Sequence, residues 1–157
     1  MEKSTAKFQI DTLDKQILSI LKENARVPFL EVALDCHISG GAVHQRVQRL
    51  LRLGLITKSQ FVLNPKRLGY QTCAFMGIFL ERASMFKDVV EEIGKIPEVT
   101  ECHYIMGNYS IFIKVYARNN EHLKSILLEK LQVIKGITRT ETLISLEQTI
   151  ERQIPVE

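Results

Sequence analysis

Several features that would assign this 157-residue chain to a common class of protein are missing from it. It has no tryptophan, and its three cysteines, Cys36, Cys73 and Cys102, are far apart and odd in number. Because there is no CxxC pair, we expect neither a disulfide framework nor a metal site, and we interpret the cysteines as small buried thiols. No signal-peptide pattern is present, and no apolar run approaches the roughly 18 residues of a membrane span. The expected setting is a reducing cytoplasm without a membrane partner.

Acidic residues are absent from Cys36 to Leu80, although basic residues are frequent there. Residues 1–60 hold nine Lys and Arg against six Asp and Glu, whereas residues 61–157 hold twelve of each. The net charge of +3 therefore lies in the N-terminal part. An anionic partner for that part follows as a hypothesis, with a solvated basic helix face as the equally weighted alternative.

The stretch 39–58, SGGAVHQRVQRLLRLGLITK, has an apolar and a polar side at helical spacing. The apolar stripe consists of Val43, Val47, Leu50 and Leu51. The polar side consists of His44, Gln45, Gln48, Arg49 and Arg52. Side chains of these types reach phosphates and base edges in a DNA groove. Together with a shorter helix within 28–37, the pattern predicts a helix-turn-helix.

Local signals predict where the three N-terminal helices begin and end. Asp11 or Thr12 can cap the first helix, and Asn24 can end it in a left-handed conformation. Its apolar stripe is Leu13, Ile17, Ile20 and Leu21. Pro28 opens the second helix, whose predicted core face is Leu30, Ala33 and Leu34. Ser39 can cap the third helix and Gly54 can end it.

Two features near the third helix leave alternatives open. Gly40 and Gly41 each disfavour a helix by about 1 kcal/mol relative to alanine. Either they let the backbone approach DNA closely, or the helix begins later than predicted. Leu55–Leu63 is short and β-prone, which indicates a small wing or a linking strand. We predict a helix-turn-helix domain over 1–60, a linker over 61–69 and a second domain over 70–157.

Beyond the Asn64-Pro65 turn signal, strand and helix periodicities alternate. The predicted strands are Tyr70–Leu80, Val99–Ile105, Ile111–Ala117 and Ile137–Thr149. One helix begins near Ser84, and another runs from Leu123 through Ile134 to Gly136. The resulting β-α-β-β-α-β order is that of a ferredoxin-like sandwich, so the chain is α+β with an N-terminal winged helix-turn-helix. Both helices cover one face of the sheet, and self-association is the simplest cover for the other.

Two other functions have less support in the sequence. An enzyme is one alternative, because His103, Tyr104 and Tyr109 could line a cleft, but no GxSxG, P-loop, HExxH or paired-carboxylate pattern accompanies them. An RNA-binding module is the other, since RNA-recognition domains share the same element order. The strand from Ser110 to Lys114 lacks the basic-aromatic pattern that those domains use.

The ordered motifs resemble the leucine-responsive regulatory protein/AsnC (Lrp/AsnC) family of bacterial and archaeal transcription regulators, over about Asp11 to Pro155. The motifs are Leu13-Asp14, Ile17-Leu18, Leu21, Asn24-Ala25-Arg26, Ser39, Val43, Arg46-Val47, Arg49-Leu50, Gly54-Leu55-Ile56, Leu68-Gly69-Tyr70, Ala74-Phe75, Pro97-Glu98-Val99 and Gly107-Asn108-Tyr109. The resemblance implies a sequence-specific regulator, not an enzyme, that binds near-palindromic double-stranded DNA. It implies a RAM/ACT-like second domain that forms homodimers and rings of dimers, and we expect the ring to be an octamer. We also expect the protein to bind the nucleoid and to need no cofactor.

The same resemblance assigns candidate site residues. For DNA binding they are Arg26, Ser39, Gly40, Gly41, His44, Gln45, Arg46, Gln48, Arg49 and Lys58. For an amino acid or another small effector they are Met106, Gly107, Asn108, Tyr109, Ser110 and Thr140. A phosphate clamp or an ion pair within its own domain remains the alternative to base reading for Arg46.

One position departs from the family pattern. The family usually has an acidic residue after the Gly-x-Tyr turn, where it can hold a ligand's amino group, and this chain has Ser110 there. A hydroxyl cannot form the charge-assisted pair that an ammonium group prefers. We therefore expect a poor response to ordinary α-amino acids.

Overall fold

The chain, in a computed structural model that describes residues 10–157, divides into two compact units. The first extends to Val62 and also includes Glu151–Glu157, and the second is Leu63–Ile150. The domain limits of 60, 69 and 70 drawn from the sequence stay predictions.

Three helices form the first unit: α1 Thr12–Glu23, α2 Phe29–Asp35 and α3 Gly40–Arg52. Asp11 caps α1 through a capping box, in which Oδ1 accepts the Asp14 N–H at 2.8 Å. Ser39 caps α3, its Oγ accepting the Ala42 N–H at 3.2 Å. Gly54 follows α3 with φ +72°, a left-handed conformation that favours glycine. The predicted helix-turn-helix and these three end signals are confirmed.

The core face predicted for α2 was wrong at two of its three residues. Leu30 and Leu34 are 69% and 68% exposed, whereas Val32 and Ala33 are buried and Phe29 is partly buried. A helix of seven residues makes two turns, so several hydrophobic stripes fit it equally well and contacts with α1 and α3 select one. Two smaller expectations also fail: Leu51 is 40% exposed, and Asn24 is extended with φ −145°.

The segment after α3 contains no β-wing. Residues 57–64 have no regular secondary structure, and a short 3₁₀ turn follows at Lys66–Leu68. Within 53–71, all described, no strand is present. The β-prone residues Phe61, Val62 and Leu63 are exposed, and no neighbouring strand pairs with them to form a ladder.

The second unit has the predicted β-α-β-β-α-β order. Its elements are β1 Thr72–Leu80, α4 Phe86–Ile93, β2 Val99–Tyr104, β3 Ile111–Ala117, α5 Asn120–Ser125, which continues as a π-helix over Ile126–Leu131, and β4 Ile137–Ser145. The four strands form one antiparallel sheet in the order β2-β3-β1-β4. That order is the one expected of a ferredoxin-like sandwich.

Element ends in this unit differ from the prediction in places. A 3₁₀ turn at Ala83–Met85 precedes α4, which therefore has no side-chain cap from Ser84. The last helix ends at Leu131 rather than near Gly136, and β4 ends at Ser145 rather than Thr149. Apolar residues continue past Leu131 and Ser145, but the chain turns after Leu131 and pairs with no strand after Ser145.

The two faces of the sheet have different surroundings. Alternate residues of β1 and β3 pack against α4, α5 and the π-helix; they include Ala74, Met76, Ile78, Ile111, Ile113 and Val115. The register turns the intervening residues to the other side, which we call the open face. The open face carries Cys73, Phe75, Gly77, Phe79, Glu101, His103, Phe112, Lys114, Tyr116, Arg139, Glu141 and Leu143. The helices of the second unit pack on the opposite face and leave this one uncovered.

Candidate DNA and effector surfaces

The polar side of α3 forms the wall of an open depression of about 800 Å³. Its lining is Asp11, Ala42, His44, Gln45, Arg46, Gln48, Arg49 and Arg52. Val43, Val47 and Leu50 point the other way and are buried. The helix therefore packs through its apolar stripe and presents hydrogen-bonding side chains outward, as the sequence predicted.

Two arginines of this surface are held by carboxylates at the start of α1. Arg46 Nη1 donates to Asp11 Oδ2 at 2.7 Å and to Asp14 Oδ1 at 2.8 Å. Arg49 Nη1 donates to Asp14 Oδ2 at 2.9 Å. The Asp14 side chain is 0% exposed, while those of Arg46 and Arg49 are 29% and 43% exposed. Of the alternatives for Arg46, the ion pair within its own domain is present.

This network also sets protonation. A hydrogen bond from the Asp14 backbone N–H and another from the Arg46 guanidinium lower the pKa of Asp11. Hydrogen bonds to Asp11 and then Asp14 raise the pKa of Arg46. Both groups are therefore charged at neutral pH. Two carboxylates balance the two arginines, so the polar side of α3 is less cationic than its sequence indicates.

The remaining candidate DNA residues are arranged around that surface. Gln45, Gln48 and His44 are exposed on α3, and the His44 ring lies 6.0 Å from the Phe29 ring. Gly40 and Gly41 form the first turn of α3, so the later helix start is wrong. A Cβ added at Gly40 would have no atom of the described chain within 4 Å.

Two cations lie outside α3. Arg26 follows α1, and its guanidinium lies 5.2 Å from the centre of the Phe61 ring, a cation–π contact. Lys58 is exposed in the segment after α3 that lacks regular structure. Neither is part of the depression.

The candidate effector residues gather at one end of the sheet. Met106, Gly107 and Asn108 form the exposed β2–β3 turn. The Ser110 N–H donates to the Ile78 carbonyl at 3.0 Å, and Thr140 pairs with Ile78 from the opposite strand. Ser110 and Thr140 therefore flank β1, roughly 10 Å apart at twice the strand spacing.

Tyr109 lies over the open face. Its ring would be 2.4 Å from a Cβ added at Gly77, and it makes aromatic contacts with Phe79 at 5.3 Å and Phe112 at 6.0 Å. Its hydroxyl donates to Glu141 Oε2 at 2.7 Å, and Arg139 pairs with the other oxygen of Glu141. Glycine at 77 provides the space that the tyrosine ring occupies.

Sequence reasoning missed three residues that organise these surfaces: Asp14, Gly77 and Glu141. Asp14 entered only through the Leu13-Asp14 motif, because its arginine partners are 32 and 35 residues away. Glu141 meets Tyr109 across 32 residues. Packing of α1 on α3 makes the first contacts and the strand register makes the second, and no local pattern contains either.

The geometry also bears on the alternatives. His103 lies on the open face, whereas Tyr104 faces the helices, with its ring 4.3 Å from that of Phe86. These two residues therefore do not line one cleft. Residues 10–157 contain no group of three or more His, Cys, Asp or Glu that could hold a metal ion. No helix in the same range is long and apolar enough to cross a bilayer.

Comparison with known proteins matches each unit to a domain family. A model of the AsnC-type helix-turn-helix domain matches residues 10–51, and one of the Lrp/AsnC ligand binding domain matches residues 73–155. The regulatory protein AsnC of Haemophilus influenzae is 39% identical over 145 residues, covering 92% of this chain and 97% of the relative. That of Escherichia coli K12 is 40% identical over 147 residues, covering 94% and 97%.

Solved structures agree. Escherichia coli AsnC superposes with a TM-score of 0.90 at 39% identity, covering 94% of this chain and 99% of the other. A Neisseria meningitidis transcriptional regulator, solved as a complex with L-Met, has the same fold, with a TM-score of 0.88 at 19% identity over 92% and 94%. The chain belongs to the Lrp/AsnC family of DNA-binding transcription regulators, and it is a regulator rather than an enzyme.

Proposed function

We propose that the exposed side of α3 reads base edges in the major groove of a specific operator. Gln45 and Gln48 are the principal readers, with His44 beside them, because an amide can pair bidentately with adenine. Their exposure on a helix backed by a buried stripe is the observation that carries this proposal. Arg46 and Arg49 are held by Asp14, so they fit phosphate contacts better than base reading.

The other candidate residues fit contacts with the DNA backbone. Ser39, Gly40 and Gly41 begin α3, where exposed N–H groups and the absence of side-chain bulk suit a nearby phosphate. Arg26 and Lys58 are cations outside the depression that suit flanking phosphates. These contacts would orient the domain on DNA without adding sequence preference.

Fluorescence anisotropy tests the base readers. A labelled duplex from upstream of the protein's own gene is compared with a scrambled duplex over a salt series, for the wild type and Gln48→Ala. We expect preference for the native duplex, and a loss of about tenfold in that preference for the variant. Gln16→Ala, on the exposed side of α1, is the matched control. Equal preference in Gln48→Ala and the wild type contradicts base reading by Gln48.

The open face supports self-association in pairs. Phe75 lies beside Lys114 of the Lys114–Glu101 ion pair, Leu143 pairs with Phe75 from β4, and no helix of the second unit covers them. A twofold dimer would present two α3 helices to near-palindromic half-sites about one helical turn apart or a multiple of it. Assembly of such dimers into an octamer, on DNA in the cytoplasm, completes the proposal. Sedimentation of a stable monomer would contradict it.

The effector proposal concerns the loop 106–110 with Thr140. Ser110 supplies no carboxylate, and the carboxylate of Glu141 is already engaged by Tyr109 and Arg139. A ligand ammonium group would therefore find no available acid at this loop. We expect calorimetry with common amino acids to give no micromolar binding to the wild type, and Ser110→Asp to bind at least one of them more tightly. Micromolar binding of a common amino acid to the wild type would overturn this expectation.

A further inference from the structure

The Arg46 guanidinium is shared by two carboxylates in different environments. Asp14, on one side, is fully buried, whereas the side chain of Asp11, on the other, is 54% exposed. The two contacts have nearly the same length, 2.7 Å to Asp11 and 2.8 Å to Asp14. Because the contacts are alike but the two aspartates differ in burial, we assign Asp11 and Asp14 different roles.

Asp14 is a permanent partner of the arginines. A buried carboxylate without a cation is strongly unfavourable, so Asp14 requires Arg46 and Arg49 to stay close. It also accepts the Asp11 N–H at 3.2 Å, which ties it to the start of α1. Its contacts therefore belong to the fold and persist when DNA binds.

The two carboxylate oxygens of Asp11 have different partners. Oδ1 accepts the Asp14 N–H and caps α1, while Oδ2 contacts Arg46. The cap needs only Oδ1, so the contact of Oδ2 with Arg46 can break while the cap persists. Asp11 lines the same depression as Gln45 and Gln48, the surface assigned above to DNA.

We propose that Asp11 Oδ2 occupies the position of a DNA phosphate oxygen on Arg46, and that DNA binding replaces it with a phosphate while Asp14 retains the arginine. This inference rests on the proposed DNA surface of α3. A carboxylate and a phosphate oxygen are equivalent partners for an arginine, so the exchange is close to neutral in free energy. Phosphate contact is the same at every sequence, so Asp11 weakens binding to all DNA and leaves discrimination to the base readers.

The Asp11→Asn variant tests the exchange, because asparagine caps a helix as well as aspartate does and carries no charge. We expect its Kd to fall about fivefold for native and scrambled duplexes alike, the value of one unit-charge contact in water. Its Tm should fall by only a few degrees, since the cap is kept and only one exposed ion pair of the free protein is lost. Asp35→Asn, an exposed acid on α2, is the control and should change Kd by less than about twofold. An unchanged Kd for Asp11→Asn overturns the proposal.

A double-mutant cycle separates the exchange from a general charge effect. In an Arg46→Gln background, the gain from Asp11→Asn should fall to that of Asp35→Asn, because the contested guanidinium is gone. An equal gain in both backgrounds overturns the proposal.

A second measurement leaves Arg46 unchanged. The slope of log K against log salt counts the phosphates engaged, and in the exchange Arg46 engages its phosphate in both proteins, so the slopes of wild type and Asp11→Asn should agree while their Kd values differ. A wild-type slope shallower by about one would mean that Asp11 keeps Arg46 off the phosphate, and it overturns the exchange. A wild type that binds neither duplex at low salt refutes instead the DNA surface on which this inference rests.

Discussion

The polar side of α3 and the open face of the sheet are both exposed, but they hold their side chains in different ways. On α3, the buried acid Asp14 holds two arginines through charge, with contacts of 2.8 and 2.9 Å. On the open face, a missing side chain at Gly77 admits the Tyr109 ring, which packs edge-on against Phe79 and stacks on Phe112. The arrangement on α3 therefore depends on ionisation and salt, and the seat of the Tyr109 ring depends on shape. Each dependence can be broken by one substitution.

The largest effect should follow from Asp14→Ala on the charge-held surface. Losing the buried carboxylate leaves Arg46 and Arg49 without their common anchor and removes half of the capping box. We expect a loss of about 3 kcal/mol in the free energy of unfolding, or about 15 °C in Tm for a domain of this size. Thermal unfolding followed by circular dichroism measures it. The matched exposed acid, in Asp35→Ala, should shift Tm by only a few degrees, and an equal shift in the two variants would contradict the anchor.

Gly77→Val tests the shape-held surface. The new Cβ would lie 2.4 Å from the Tyr109 ring, so the ring must leave the open face. We expect a loss of about 2 kcal/mol from overpacking, together with weaker self-association in sedimentation. Adding Tyr109→Ala removes the clash and should recover most of the stability of Gly77→Val. If the double variant is no more stable than Gly77→Val, the tyrosine is not the residue that needs the glycine.

The sequence predicted what local pattern determines. The capped ends of α1 and α3, the buried stripe of α3 and the order of strands and helices were all present as spacing or as single capping residues. The face of α2 was not predictable, because seven residues define no unique stripe and contacts with α1 and α3 choose among them. The Asp14–Arg46 and Tyr109–Glu141 contacts join residues 32 positions apart, and only the folded chain brings them together.

A smaller effect is expected at Gly41, where one substitution should raise stability and weaken DNA binding. Its added Cβ would meet only Ser39 Oγ at 4.0 Å, so Gly41→Ala should fit and raise the free energy of unfolding by about 1 kcal/mol through helix propensity. The same methyl group would stand where the backbone is proposed to approach DNA, so Kd for the native duplex should rise. Chemical denaturation and anisotropy measure the two effects, with Gln16→Ala as the control. A variant both more stable and equally tight on DNA would show that the glycine is not needed for close approach.

The smallest effect is expected at Glu98, a carboxylate of the second unit that, like Asp14, is paired with cations. Burial raises the pKa of Glu98. Hydrogen bonds from Lys130 at 2.7 Å and His122 at 3.2 Å lower it by more, so the net shift is downward from 4.5. A depressed pKa contributes stability that is present above the unfolded value and disappears as pH falls through the folded one. Glu98→Gln should therefore lose about 1 kcal/mol at pH 7, and the loss should vanish below the folded pKa, which lies under 4.5.

Urea unfolding of wild type and Glu98→Gln at pH 7 and near pH 3 measures this difference. Glu129→Gln, an exposed glutamate beside Lys130 in the π-helix, is the control and should show little difference at either pH. Glu98 Oε2 is buried and accepts no hydrogen bond within the described residues, so Lys130 and His122 share a single carboxylate oxygen. Asp14 uses both oxygens and holds two arginines, so its removal should cost more than that of Glu98. A loss for Glu98→Gln that persists unchanged at pH 3 would mean that packing of the side chain, rather than its charge, stabilises the sheet unit.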